Sequence, residues 1–195
     1  MKISGALRSS RVVDAFESVR RVDFLPEGQK LLADQDRPLN IGYGQTNSQP
    51  STVAFMIELL QPQKGDRVLD VGSGSGWTTA LLAHIVGEEG KVYGVEIVEE
   101  LVAFGSHNLN SYSYQNASIE LAGEDLGLPS KAPFDRILAS AAADSLPATL
   151  LDQLTVGGRV VLPVENEIWS VDKQADDGYL DISKYPGFAF VPLLS

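Results

Sequence analysis

Between residues 10 and 22 the apolar side chains Val12, Val13, Ala15, Phe16, Val19 and Val22 recur at spacings near three and four. That period predicts an amphipathic helix, which ends before Pro26. Residues 25–50 carry Gly28, Pro38, Gly42, Gly44 and Pro50 among polar positions. So many breakers predict a long loop, and loops of that length in compact domains usually carry function. From residue 51 a regular alternation sets in. Helices are expected over 51–60, 77–86, 99–110 and 147–154, and short apolar strands over 67–71, 91–96, 118–122, 135–140 and 159–163. Repeated strand-helix-strand units of this kind predict a doubly wound α/β fold, a mostly parallel sheet with helices on both faces. The tail breaks the rhythm. Residues 168–173, 179–183 and 188–191 read as strands joined by turns such as Asp176-Asp177-Gly178, and predict an antiparallel C-terminal edge.

With 195 residues, 44% of them hydrophobic, the chain is expected to form one domain around a sizeable core. Within it, residues 1–50 supply the first helix and the long loop, 51–163 the α/β core, and 164–195 the final strands. Lys and Arg total 15 against 26 Asp and Glu, a net charge of −11. Such a field repels phosphate backbones and anionic lipid, so neither a nucleic-acid nor a membrane partner is expected. Cysteine is absent, which removes disulfides, thiolate nucleophiles and Cys-bound zinc. No apolar run is long enough for an export signal or a membrane span. A cytoplasmic location is expected, although a mature chain whose signal had been removed would look the same. The oligomeric state is not legible.

The most informative stretch is Asp70-Val71-Gly72-Ser73-Gly74-Ser75-Gly76-Trp77. An apolar strand enters a turn with glycine at every second position and passes at once into a helix, so backbone can approach a ligand closely. Dinucleotide folds use G-x-G-x-x-G; here the third glycine comes one residue early and Trp77 fills its place. Glu96 lies 24 residues after Gly72, at the end of the next expected strand, where a carboxylate can accept bonds from a ribose diol. A solvated acid at a helix start is the alternative. His84 and His107 are the only histidines, 23 residues apart, and form no zinc pair. The run from Gly72 to Gly76 is the nearest candidate for a nucleophile elbow, but no clear acid and histidine follow it in order.

The G-x-G-x-G form resembles the glycine loop of class I S-adenosylmethionine-dependent methyltransferases, which have a Rossmann-like sheet. A second stretch narrows the likeness. Gly42-Tyr43-Gly44-Gln45-Thr46-Asn47-Ser48-Gln49-Pro50 resembles the G-x-G-Q-T-x-S-x-P signature of the protein-L-isoaspartate O-methyltransferases. The likeness continues in order through Ala132-Pro133-Phe134-Asp135, the Ala141-Ala142-Ala143 run with Pro147, Gln153-Leu154, Gly157-Gly158-Arg159 with Pro163, and Phe190-Val191-Pro192-Leu193.

The resemblance implies methyl transfer from S-adenosyl-L-methionine to the carboxylate of L-isoaspartyl residues in damaged proteins or peptides; fold and donor loop alone leave open a different acceptor, or a donor-binding module without catalysis. Position by position, it implies that Ser48 is the active-site serine and that Gln45, Thr46 and Asn47 border the donor. It further implies that Asp70, Gly72, Ser73, Gly74 and Gly76 form the donor loop, with Glu96 and Ile97 at the ribose and either Glu124 or Asp125 at the adenine amino group. Two positions depart from the pattern: Asn47 stands where an apolar residue is most common, and Glu124-Asp125 where Gly-Asp-Gly is usual. Residues between Pro163 and Phe188 match only loosely. Serine also caps helices, so Ser48 is open to that role before Pro50. No metal is implied, and a carboxylate acceptor with a reference pKa of about 4 is already anionic at neutral pH, so no general base is required.

Overall fold

The computed structural model describes residues 8–174 and 178–193. Helix α1 (Ser10–Ser18) stops before Val22, because Val19 and Arg20 turn extended and the chain re-enters as a 3-10 turn over Arg21–Phe24. Val19, Arg21 and Phe24 are all buried. In a continuous helix Val19 and Arg21 would lie some 200° apart; breaking it turns all three inward.

The expected loop holds more structure than its breakers suggested. A 3-10 turn covers Glu27–Leu32, and strands β1 (Leu39–Gly42) and β2 (Gln45–Asn47) form an antiparallel hairpin. Its reversal uses Gly42, Tyr43 and Gly44, all at positive φ, a geometry glycine adopts without a Cβ clash. Helix α2 (Pro50–Leu60) follows, with proline in its first turn.

The central sheet is built from β3 (Arg67–Val71), β4 (Lys91–Glu96), β5 (Ala117–Leu121), β6 (Phe134–Ala139), β7 (Leu154–Val164), β8 (Glu167–Lys173) and β9 (Leu180–Pro186). Its order is β5-β4-β3-β6-β7-β8-β9. The pairs from β5 to β7 are parallel and the last two antiparallel, as expected for an antiparallel edge. Helices α3 (Trp77–Val86), α4 (Glu99–Asn110) and the short α5 (Ala148–Asp152) provide the crossovers.

Alternate residues of the strands feed two cores. Val68, Leu138, Val161 and Ile168 pack with α1, α2, α3 and Leu109 of α4 on one face. Leu69, Val71, Ile137, Val160 and Leu162 pack with Leu150 of α5 and Leu128 on the other. Burial on both faces is why these strands read as near-continuous apolar runs. Strand β7 starts at Leu154, where a helix had been expected to end; Gly157 and Gly158 interrupt its alternation and mask it in the sequence. Residues 188–191 form no strand. The chain instead doubles back and makes a single bridge, Pro192 to Ala142. Of the expected Asp176-Asp177-Gly178 turn, the first two residues lie outside those described. Among the described residues no helix is long and apolar enough to cross a membrane.

Candidate functional site

The chain leaves β3 toward β4 and β5, then returns to place β6 on the other side. Such a switch point leaves a crevice beyond the carboxyl ends of the strands. A cavity of about 410 Å³ lies there.

Residues 72–75 make its floor. Gly72, Gly74 and Gly76 have φ of 77°, 52° and 84°, which few other residues would tolerate. Their N–H groups do not face outward. Those of Gly72 and Ser73 donate to the Val95 carbonyl, that of Gly74 to Glu96 Oε2 at 2.9 Å, and that of Gly76 to the Ser73 carbonyl. A loop that spends the amides of Gly72, Ser73, Gly74 and Gly76 internally is a poor phosphate cradle, which argues against a dinucleotide. The loop also lies against α4 backbone to backbone. A Cβ on Gly105 would stand 2.7 Å from the Gly74 carbonyl oxygen, and one on Gly76 would stand 2.8 Å from that of Gly105.

Glu96 is buried rather than solvated. Its Oε1 accepts the N–H of Ile97 (2.8 Å) and of Val98 (3.0 Å), while Oε2 holds Gly74. A carboxylate has about four lone-pair positions, so one remains for a ligand on this cavity-lining group. Asp70 lies behind the loop, fully buried, with Oδ2 accepting the Thr79 hydroxyl at 2.7 Å and Oδ1 without a partner. Burial, with the nearby Glu96 charge in the same sense, pushes its pKa up to about 7 against the Thr79 bond.

A third wall is the loop after β5, which presents Glu124 and Asp125. Gln153 fixes it from beneath: its Oε1 accepts the Leu128 N–H at 2.7 Å, and its Nε2 donates to the Leu126 carbonyl at 2.8 Å. Residues 45–49, at the end of the hairpin, form the opposite wall. Ser48 does not cap α2. Gln49 holds that position, and the Ser51 N–H donates to Asp36 Oδ1 at 2.9 Å. The turned-back tail closes the cavity with residues 189–193, tied to the segment after β6 by Ala142 N–H to Val191 O (2.8 Å) and Leu193 N–H to Ala142 O (2.7 Å).

Of the residues singled out in the sequence, Gln45, Thr46, Asn47, Ser48, Gly72, Ser73, Gly74, Glu96, Ile97, Glu124 and Asp125 all reach the cavity wall. Asp70 and Gly76 do not; they stand behind the loop they help to shape. Ser140, Thr78 and the tail also line the cavity and were missed. The rule that ligands bind beyond strand carboxyl ends would have found Ser140; the tail carried the family likeness at Phe190-Val191-Pro192-Leu193 but was given no place at the site. Among the described lining residues the charged ones are Glu96, Glu124 and Asp125, with no Lys, Arg or His. Ser73 also lines it, with its hydroxyl buried and without a partner. This cavity suits a cation with polar hydrogens and disfavours a polyphosphate.

The family model described as protein-L-isoaspartate(D-aspartate) O-methyltransferase matches residues 1–195. The chain belongs to the protein-L-isoaspartate O-methyltransferase family. The Methanopyrus kandleri member is 43% identical over 199 residues, covering 100% of this chain and 88% of the relative. The Myxococcus xanthus member is 46% identical over 158 residues, covering 81% and 73%. Among solved structures, a family member from Plasmodium falciparum in complex with S-adenosyl-L-homocysteine superposes with a TM-score of 0.85 at 25% identity, covering 97% of this chain and 93% of that one. Another protein-L-isoaspartate O-methyltransferase gives 0.87 at 28%, covering 96% and 62%. Within this family frame the two departures have definite places. Asn47 is buried, and its amide joins two other segments; Glu124 and Asp125 are both exposed on one wall.

Proposed function

We propose that this chain transfers a methyl group from S-adenosyl-L-methionine to the free carboxylate of L-isoaspartyl residues, the first step in returning damaged aspartyl linkages to normal ones. Membership of the family across the whole chain supports the reaction. The observation in the structure that carries the donor assignment is the acid-lined cavity over a glycine loop in which four of the five amides are already spent.

The donor supplies an electrophilic methyl on a sulfonium. The residues that would hold it are those of the floor, with the last open position on Glu96 for a ribose hydroxyl and Glu124 or Asp125 for the adenine amino group. Three carboxylates with no cation among the lining residues favour a positively charged ligand over its neutral sulfide product, and so favour release after transfer. The same field repels an anionic acceptor from that end. It leaves the uncharged wall of Gln45, Thr46 and Ser48 for the substrate carboxylate, which Ser48 would orient through its hydroxyl. The acceptor is ionised at neutral pH, so the chain has no proton to move. Its work is alignment and the exclusion of water by the hairpin and the tail.

The test uses paired peptides that differ only in aspartyl or isoaspartyl linkage, incubated with methyl-labelled donor. Base-labile ester is expected on the isoaspartyl peptide alone. Equal labelling of both, or of neither despite measurable donor binding, refutes the substrate assignment.

A further inference from the structure

A side chain outside the cavity holds its acceptor wall in place. Arg21 is 5% exposed, yet no ion pair reaches it among the described residues. Its hydrogen-bond acceptors are all neutral oxygens, with the Asp36 charge acting only from beyond ion-pair distance: Nε donates to Asn47 Oδ1 (2.7 Å), Nη1 to the carbonyls of Ala33 (3.3 Å) and Gln35 (2.9 Å), and Nη2 to those of Arg37 (2.8 Å), Asn47 (3.2 Å) and Ser48 (3.0 Å). One face lies 5.6 Å from the Trp77 ring centroid. Trp77 opens the helix after the glycine loop. Asn47 carries the connection further, since its Nδ2 donates to Ser75 Oγ at 3.0 Å within that loop.

Burying a cation costs far more than burying a neutral group. An apolar side chain would fill the same space without that cost, so stability alone is a weak reason for an arginine here. A planar five-donor fork has another use: it can fix several carbonyls at once in one geometry. The carbonyls it fixes include that of Ser48, and the amide it orients reaches the donor floor. Resting on the function proposed above, we infer that Arg21 is a positioning residue, which through Asn47 sets the acceptor wall at Ser48 in register with the glycine loop. This also accounts for the departure at Asn47: an apolar residue there could neither accept from Nε nor donate to Ser75.

The variants are Arg21→Lys and Asn47→Leu, in the full-length chain. An ammonium has three N–H donors where the guanidinium has five, so Arg21→Lys keeps the charge and loses the fork. Misalignment of about 1 Å can cost on the order of a hundredfold in rate. Arg21→Lys is expected to lower kcat at saturating donor and peptide by about ten- to a hundredfold, with the loss mainly in kcat rather than KM. Amide hydrogen exchange should speed up over residues 33–48 while β3 and β6 stay protected. Asn47→Leu should reproduce the exchange change and also weaken donor binding, because the contact to Ser75 is lost. Unchanged kcat and unchanged exchange in both variants would overturn the inference, as would a uniform rise in exchange across the sheet, which marks general destabilisation. The parent's turnover on the isoaspartyl peptide reads the proposed function separately; were it absent, the exchange pattern would still decide the role of Arg21.

Discussion

Replacing Gly105 with alanine sets two effects against each other. By helix propensity alone alanine is better than glycine by about 1 kcal/mol inside a helix, so the change should stabilise α4. The new Cβ, however, would stand 2.7 Å from the Gly74 carbonyl oxygen, 3.0 Å from Ile119 Cδ1 and 3.3 Å from the Gly76 nitrogen. The first contact is with backbone, which cannot rotate away. Restoring an ordinary separation requires the glycine loop or the helix to move by roughly half an ångström. Overpacking of this kind typically costs about 1–3 kcal/mol. The steric term wins, and a net destabilisation of about 1 kcal/mol is expected, a fall in Tm of about 2–4 °C for a chain of this size. The displaced loop is the proposed donor floor, so donor affinity should fall further, by about tenfold, or about 1.4 kcal/mol. Calorimetric titration with S-adenosyl-L-methionine and a thermal melt read the two quantities. A higher Tm with unchanged donor affinity would show that the loop does not depend on the close approach to α4.

Asp70 gives a pH signature. Burial raises its pKa from 3.8 to about 7 in the folded chain, so between those values the unfolded state is ionised and the folded state protonated. Its effect on stability therefore worsens as pH rises across that window, by up to about 1.4 kcal/mol per unit, and levels off above it. Urea midpoints of the parent should decline relative to Asp70→Asn between pH 4 and 7; parallel curves would refute the assignment. Ser48→Ala is expected to slow methyl transfer by about ten- to a hundredfold, the loss of one bond to a charged group, with donor affinity within about twofold; full turnover would remove its orienting role. Of Glu124→Gln and Asp125→Asn, one should weaken donor binding by about tenfold and the other leave it nearly unchanged; two silent variants would free adenine recognition from this loop.

The stretch from β3 to α4 was legible almost residue by residue. Strands buried on both faces leave short apolar runs, and glycines at Gly72 to Gly76 and at Gly87 mark where strand and helix stop. The chain before Pro50 was not, because its shape is set by distant contacts. Nothing in the period of residues 10–22 reveals that Arg21 turns inward to collect carbonyls from 33 to 48. The tail misled for a similar reason. Phe188, Phe190 and Val191 have strand-like side chains, yet the neighbours that decide their path are Phe55 beside Phe188 and Ala142 in the segment after β6. The cavity's floor could be read from glycine spacing, whereas its roof depended on residues far apart in the sequence.

The three backbone donors on Glu96 give one side chain two occupations. It pins the start of α4 to the glycine loop whether or not anything is bound, and it offers its last open position to the cavity. The pin needs an acceptor at this length, and the ligand needs a charge. An aspartate would fall short by a methylene, and a glutamine would turn an NH2 toward a donor that expects oxygen. Two independent demands on a single carboxylate leave it almost no tolerated replacement, so this position should drift more slowly than any wall residue that only touches the ligand.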